Sequence, residues 1–357
     1  MTGDAARLVP VEALLGSWPD SQAAADGAGG AAPFPGVAAA MAARLRADGA
    51  SPMITFYDDA TGERVELSGV TLDNWVAKTA NLLVDTLGLS PGDRVAVDLP
   101  AHWLAVVILL AAWSAGLEVL VATGWEDAAT APRPDETDQE DQAGQDGEQN
   151  GEEDKDDGTD EPDDRPAGTL GEIQAAFVAE SRVDAALSLG ADEVVALSLR
   201  PFGARMAHPI AGVLDFAAEV PAHGDRFAAP PPPAAQARLL ALAASTAEAG
   251  GLGRGDRLLA TAGPGSAEGV LGTALAPLVA GASVVLCRHL DTHLDDAAFA
   301  RRIATERVTA VSGTHRPLPA GVRRLRLAEP AASQWPAAGT GSAVAGQVNG
   351  RPHPGTS

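Results

Sequence analysis

Between residues 53 and 125 the spacing of apolar positions changes period several times. Met53-Ile54-Thr55-Phe56-Tyr57 and Arg64-Val65-Glu66-Leu67 flank a polar turn from Asp58 to Gly62, which predicts a β-hairpin. Leu72, Trp75, Val76, Thr79, Leu82, Leu83 and Leu87 then recur at three- and four-residue steps, which predicts a helix with Thr71 as its cap and Gly88 as its stop. Asp93 to Asp98 is a short strand, Ala101 to Ala115 a helix stopped by Gly116, and Val119-Leu120-Val121 the next strand. Short apolar strands alternating with helices place the chain in the α/β class, with mostly parallel sheets flanked by helices. The run from Leu104 to Ala122 carries only one charge, Glu118, yet Gly116 and Glu118 divide it into a helix and a strand. Each piece is too short to cross about 30 Å of hydrocarbon, so no membrane association is expected.

The pattern resumes further on. Thr169 to Val183 is apolar and helix-like, Val194 to Leu197 reads as a strand, and a loop runs to Phe227. Beyond the four prolines Pro230 to Pro233 come a helix (Gln236 to Ala249), a strand (Arg257 to Thr261), a helix (Ser266 to Ala280) and a strand (Ser283 to Cys287). A helix (Asp296 to Glu306), a strand (Val308 to Ser312) and a last strand within Val322 to Leu327 follow. The expected organisation is a leader with one helix (1–50), a first α/β subdomain (51–125) and an insertion (126–168). After these come the remainder of the first subdomain with a proline-rich connection (169–235), a second α/β subdomain (236–328) and a flexible tail (329–357).

Charge sharpens this division. The 357 residues carry 25 basic and 48 acidic side chains, a net charge of −23, but residues 126–165 alone hold 18 acids against 3 bases. That segment has almost no aliphatic residues, so a disordered acidic insertion is expected there. With no basic cluster to meet phosphate, nucleic acid is excluded as a partner. A single cysteine, Cys287, excludes a disulfide framework. The amino-terminal residues show no basic-then-apolar export signal, and a cytoplasmic location is expected.

Two stretches echo each other. Gly92-Asp93-Arg94-Val95 leads to Ala115-Gly116 and Val119-Leu120-Val121; Gly255-Asp256-Arg257-Leu258 leads to Ala280-Gly281 and Val284-Val285-Leu286. Leu87-Gly88 and Leu252-Gly253 precede them. Together with Ile54-Thr55-Phe56, Leu99-Pro100-Ala101-His102-Trp103, Leu239-Leu240 and Glu306-Arg307-Val308-Thr309, these segments resemble the acyl-adenylate-forming superfamily of acyl-CoA synthetases, adenylation domains and luciferases. The likeness covers about 200 residues and points to a short actinobacterial branch. It implies two related α/β subdomains side by side, as in that family's N-terminal domain. At Leu99-Pro100 the family reads L-P-N-x-x-x-W, where this chain has Ala101 and His102.

The resemblance also implies chemistry that this chain does not carry in its usual form. The family's phosphate loop is rich in Gly, Ser and Thr and contains a lysine; here the matching stretch is Arg226-Phe227-Ala228-Ala229-Pro230-Pro231-Pro232-Pro233-Ala234. Four prolines remove the N–H donors that a triphosphate needs. The only lysines are Lys78 and Lys155, so none stands between 156 and 357. The family's aromatic-His motif falls on Gly265 and Ser266, and its later elements would lie beyond about residue 330.

No catalytic residue, cofactor or metal site is therefore expected. Gly263, Gly265, Ser266 and Gly269 follow a strand and open a helix, and are the candidate ligand-binding positions. His289, Asp291, His293 and Asp295 alternate in a way that could face one ion, but read better as solvated histidines and a turn begun by Asp291. The expected function is that of a degenerate, non-catalytic homologue binding an acyl or aromatic small molecule, or a protein partner. The alternative is a divergent acid ligase with an atypical ATP site.

Overall fold

The computed structural model describes residues 7–16, 32–123 and 172–325. The acidic insertion expected at 126–168 and the tail expected at 329–357 lie outside the described residues.

Twelve strands make two six-stranded sheets. They are β1 (Arg7–Pro10), β2 (Pro52–Asp58), β3 (Glu63–Ser68), β4 (Arg94–Asp98), β5 (Glu118–Thr123) and β6 (Ala175–Ala179), then β7 (Glu193–Leu197), β8 (Val213–Asp215), β9 (Arg257–Ala260), β10 (Ser283–Arg288), β11 (Ala310–Val311) and β12 (Arg323–Arg324). The first sheet has the order β1-β5-β4-β6-β7-β8 and the second β12-β11-β9-β10-β2-β3. Each is parallel throughout except for one antiparallel edge strand, β1 in the first and β3 in the second.

The helices used below are α1 (Val37–Asp48), α2 (Gly69–Asn81), α3 (Trp103–Ser114), α4 (Ala234–Ala249), α5 (Ala276–Ala280) and α6 (Asp296–Thr305). Side chains alternate across the strands and divide the core into layers. Val95 and Val97 of β4, with Leu258 and Ala260 of β9, join one large cluster that also holds Val37, Leu72, Val107, Leu240 and Ala276 from α1 to α5. Ala96 packs on the far side of the first sheet, and Leu259 on the far side of the second against Phe299 and Ile303 of α6. A layer of helices thus lies between the two sheets. All twelve residues of α3 are buried, as a helix apolar on every side must be.

The internal echo is structural as well as sequential. Arg94 registers with Glu118 and Arg257 with Ser283, so β4–β5 and β9–β10 are equivalent parallel pairs. In both, the aspartate of the Gly-Asp-Arg run closes the turn: the Ser90 N–H donates to the Asp93 carboxylate at 2.7 Å and the Gly253 N–H to that of Asp256 at 2.8 Å. Gly116 and Gly281, with φ of 81° and 74°, end the intervening helices in the left-handed conformation that glycine adopts without penalty.

Several elements differ from expectation. The hairpin β2–β3, grouped by chain order with the first subdomain, pairs through β2 with β10 in the second sheet. Residues 7–10, read as leader, form an edge strand on β5. The stretch from 169 to 183 contains the strand β6 rather than a helix, because a short Ala/Phe/Val run buried on both faces has no period of its own. Ser68, not Thr71, caps α2: its hydroxyl accepts the Thr71 N–H at 3.1 Å. The helical path then widens to π geometry at Leu82–Thr86, and again at Gly269–Leu275 before α5.

A buried polar cluster ties the hairpin to the second sheet. Glu306 receives Arg257 at 2.5 Å and Arg64 at 3.3 Å, and Tyr57 donates its hydroxyl to the same carboxylate. Burial would raise the Glu306 carboxyl, but these donors outweigh it and hold the group below its ordinary 4.5. The stabilisation it contributes is complete above that value and lost as pH falls through the lower folded value. Glu306→Gln is expected to lower stability by about 3 kcal/mol at neutral pH. The deficit relative to wild type should shrink on acidification below 4.5, as read by urea unfolding across that range.

Candidate functional site

Ligand sites in open parallel sheets form outside the carboxyl ends of the strands. Here the carboxyl ends of the two duplicated units face each other: residues 99–102 follow β4, residues 261–268 follow β9, and Ala122-Thr123 close β5.

The four candidate positions Gly263, Gly265, Ser266 and Gly269 all lie at this meeting. Glycine is required by close approach at three of them. A Cβ on Gly263 would come within 2.9 Å of the Ala101 nitrogen, one on Gly265 within 2.1 Å of the Ala122 carbonyl oxygen, and one on Gly269 within 1.7 Å of the Gly263 carbonyl oxygen. The loop also consumes its own donors. The Ser266 N–H and hydroxyl both donate to the Gly263 carbonyl, at 3.3 and 3.1 Å, and the Gly269 N–H donates to the Ser266 hydroxyl at 3.0 Å. The N–H groups of Ser266 and Gly269 are therefore engaged inside the turn; Gly263 and Gly265 serve the contact between the two units, and Gly269 the tightness of the turn itself.

Beside this contact is a small cleft of about 10 Å³, room for about one water, lined by Ala101, His102, Val106, Gly263, Gly269 and Thr273 among others. Its walls are apolar except for His102, which the sequence reading quoted only within the Leu-Pro motif. His102 is 1% exposed and caps α3, its Nδ1 accepting the Leu104 N–H at 3.1 Å. Phe56 meets the ring edge-on, with centroids 4.5 Å apart. The Nε2 atom is buried with no partner among the described residues. Because Nδ1 accepts, the neutral ring carries its proton on Nε2, leaving a donor unsatisfied. Burial, helped by the Arg288 charge and opposed by Asp58, depresses the ring to about 3. The signal that could have found it was positional: a histidine between a strand end and a wholly apolar helix stands at an N-cap.

The stretch that matches the phosphate loop is largely exposed and meets the start of α1 at Pro232. A Cβ on Gly36 would come within 2.6 Å of Pro232, and the buried Gln236 just beyond it spans two helices. Its carbonyl oxygen accepts the Val37 N–H at 3.0 Å at the start of α1, and its amide nitrogen donates to the Trp113 carbonyl at 2.5 Å near the end of α3. Lys78 is committed too: it donates to the carbonyls of Pro221 and His223, while the Asn81 amide bonds those of Gly224 and Arg226, each at 2.9 Å.

The alternating His/Asp set does not converge. His289 is buried rather than solvated, its Nδ1 2.7 Å from Asp58. Asp291 pairs with Arg316 at 2.8 Å, and it is Asp295, not Asp291, that caps α6 through the Ala298 N–H at 2.6 Å. Among the described residues no group of three or more His, Cys, Asp or Glu side chains is placed to hold a metal. Cys287 is buried and its thiol pushed up to about 12, chiefly by that burial, so it is not a nucleophile at neutral pH. Trp103 and Trp113 are core residues at 2% exposure, and Trp75 packs against them half-buried. No described helix is long and apolar enough to cross a membrane.

No family model matches the chain. Among curated proteins, a TIGR03089 family protein of Mycobacterium tuberculosis (strain ATCC 25618 / H37Rv) is 37% identical over 273 residues, which are 75% of this chain and 93% of that protein. Among solved structures, the Brucella canis acyl-CoA synthetase superposes with a TM-score of 0.55 at 20% identity, over 84% of this chain and 51% of that one. An ATP-bound RpMatB-BxBclM chimera gives 0.50 at 15% identity, over 77% and 48%. The chain spans about half the length of these solved structures, and at such identities the likeness is one of fold: the two mostly parallel sheets are those of the N-terminal domain of adenylate-forming enzymes.

Two outcomes are expected from this geometry. Gly265→Ala and Gly269→Ala should each destabilise by about 2 kcal/mol through overpacking, whereas Gly253→Ala, whose added Cβ would meet nothing closer than 4.0 Å, should be near neutral in thermal unfolding. His102 binds a proton below 6.5 only when unfolded, so wild-type stability should fall with acidification between 6.5 and about 3. Above 4.5, where Glu306 does not yet contribute, that slope should approach about 1.4 kcal/mol per pH unit and be lost in His102→Asn.

Proposed function

The chain belongs to the TIGR03089 family, and from that premise we propose that it is a non-catalytic relative of the adenylate-forming enzymes that binds a small acyl or aromatic molecule in the cleft between its two α/β units. What supports this most directly is the pairing of an apolar cleft at the strand carboxyl ends with a run of four prolines, elsewhere in the fold, in the stretch that matches the phosphate loop. A triphosphate needs converging N–H groups and a cation to offset developing charge. Pro230 to Pro233 offer no N–H, and Lys78 is engaged with backbone carbonyls.

A cleft of about 10 Å³ is far below the pockets that hold drug-sized ligands, about 300 Å³ and above, so an occupant enters only where the walls from the two units give way, which favours a small group over a nucleotide or coenzyme A. Burial of an apolar group there draws on the hydrophobic effect, and a single buried donor supplies orientation.

Thermal unfolding with ATP and Mg²⁺, AMP, coenzyme A, carboxylic acids and uncharged acyl compounds tests the reading. A cleft ligand at a hundredfold excess over its Kd stabilises by about 2.7 kcal/mol, which raises Tm by several degrees; ATP with Mg²⁺ should leave Tm unchanged. Acid-dependent exchange of labelled pyrophosphate into ATP, above that of an enzyme-free control, would instead establish a working ligase and defeat the non-catalytic reading.

A further inference from the structure

The mouth of the hairpin β2–β3, in the second sheet, meets the turn Pro201–Gly203 that follows β7 of the first. Asp58 and Glu63 stand directly opposite each other at this mouth, and both are buried. Like charges so placed repel. The two carboxylates are unequally provided for. Asp58 has His289 Nδ1 at 2.7 Å, the Ala60 N–H at 3.0 Å and the Arg288 guanidinium at 3.8 Å. Burial alone would raise its carboxyl, but these partners outweigh it and hold the group below its ordinary 3.8. Glu63 accepts the Phe202 N–H at 2.8 Å. Burial lifts its carboxyl above the ordinary 4.5; the Phe202 N–H opposes this and the Asp58 charge adds to it. The adjacent Arg64 turns instead to Tyr57, Glu66 and Glu306, and Arg200 and Arg205 on the loop that carries Phe202 are exposed.

The donor is itself held at a cost. Phe202 has a φ of 63°, a left-handed conformation that a bulky residue rarely adopts, and at 82% exposure it gains little packing in return. The turn lies over the buried Trp103: a Cβ on Gly203 would be 3.7 Å from the indole.

We propose that Pro201–Gly203 is a proton-set strap between the two units: with Glu63 ionised it opens so that the carboxylate reaches water, and with Glu63 protonated it stays closed over Trp103. Opening relaxes the Phe202 backbone and returns the Glu63 carboxyl toward 4.5. The closed form therefore binds the proton more tightly than the open one, and acidification favours closure. Asp58, ionised throughout that range, repels the charged form of Glu63 and not the neutral one. The protonated acid still offers a carbonyl oxygen to the Phe202 N–H. This device is independent of whether the cleft binds a ligand.

Amide hydrogen exchange of the full chain, followed by NMR and corrected for intrinsic rates, tests it, with the Val97 amide in the core reporting global opening. Protection at Phe202 should rise by about threefold or more as pH falls from neutral toward 4.5, while that of Val97 does not rise. The Trp103 indole N–H signal should move over the same range. Glu63→Gln removes the charge but keeps an acceptor oxygen. At neutral pH it should protect Phe202 about threefold or more better than wild type, with no further change on acidification. Phe202→Gly places at this φ a residue that adopts it without penalty, and should raise protection at position 202 at every pH while leaving the rise on acidification in place.

Phe202 protection that falls or stays level on acidification, or a Glu63→Gln variant that keeps the wild-type pH dependence, would overturn the inference. Should that variant not fold, the wild-type carboxyl carbon signal of Glu63 decides. Its midpoint must lie above 4.5 and coincide with the rise in Phe202 protection, and a midpoint at or below 4.5 refutes the strap.

Discussion

The burial of α3 on every side is the constraint from which the architecture follows. Trp103 to Ser114 present no polar face, so the helix has no stable place except between two apolar layers, and both sheets must supply one. The inner faces of β4 and β9 do so through Val95, Val97, Leu258 and Ala260. Once α3 is held there, its amino end opens at the carboxyl edges of both sheets together. His102 is therefore placed at the junction of the two units by the same packing that fixes the core.

Close packing at that junction explains why the glycine-rich loop after β9 keeps its glycines while resembling no phosphate cradle. Gly263 and Gly265 let backbone meet backbone across the two units, and Gly269 lets it meet within the turn, at distances where any Cβ would intrude. A cradle needs its N–H groups turned outward and unengaged; here those of Ser266 and Gly269 close the turn on itself. The same residue type thus answers two different physical demands, and only the hydrogen-bond partners tell which one applies.

Much of the fold was legible because the duplicated unit writes itself twice. Strand, helix, glycine stop and strand recur with matching register at Arg94–Glu118 and Arg257–Ser283, and period and turn chemistry agree in both. What escaped was non-local. Nothing near Met53 to Asp58 says that this strand pairs with Ser283 to Arg288, more than two hundred residues away, rather than with its sequence neighbours. The strand Ala175–Ala179 escaped because five buried residues carry no period, and β1 because an edge strand of four residues is held by its partner more than by its own composition. The glycines of the site could be picked out from sequence; the role of His102 could not, since an unmatched donor exists only relative to what surrounds it.

The latch formed by Pro232 and Gln236 limits what can be changed around it. The amide of Gln236 fastens the start of α1 to the end of α3, and Pro232 seats against Gly36, so the entry to α4 ties three helices together. A flexible glycine-and-lysine segment placed at 226–234 would remove the Pro232 contact with Gly36 and loosen that fastening unless the opening of α1 were rewritten as well. Rebuilding this entry is thus not a local edit: a few side chains there hold helices that are distant in the chain, and a change made for one of them is felt by all.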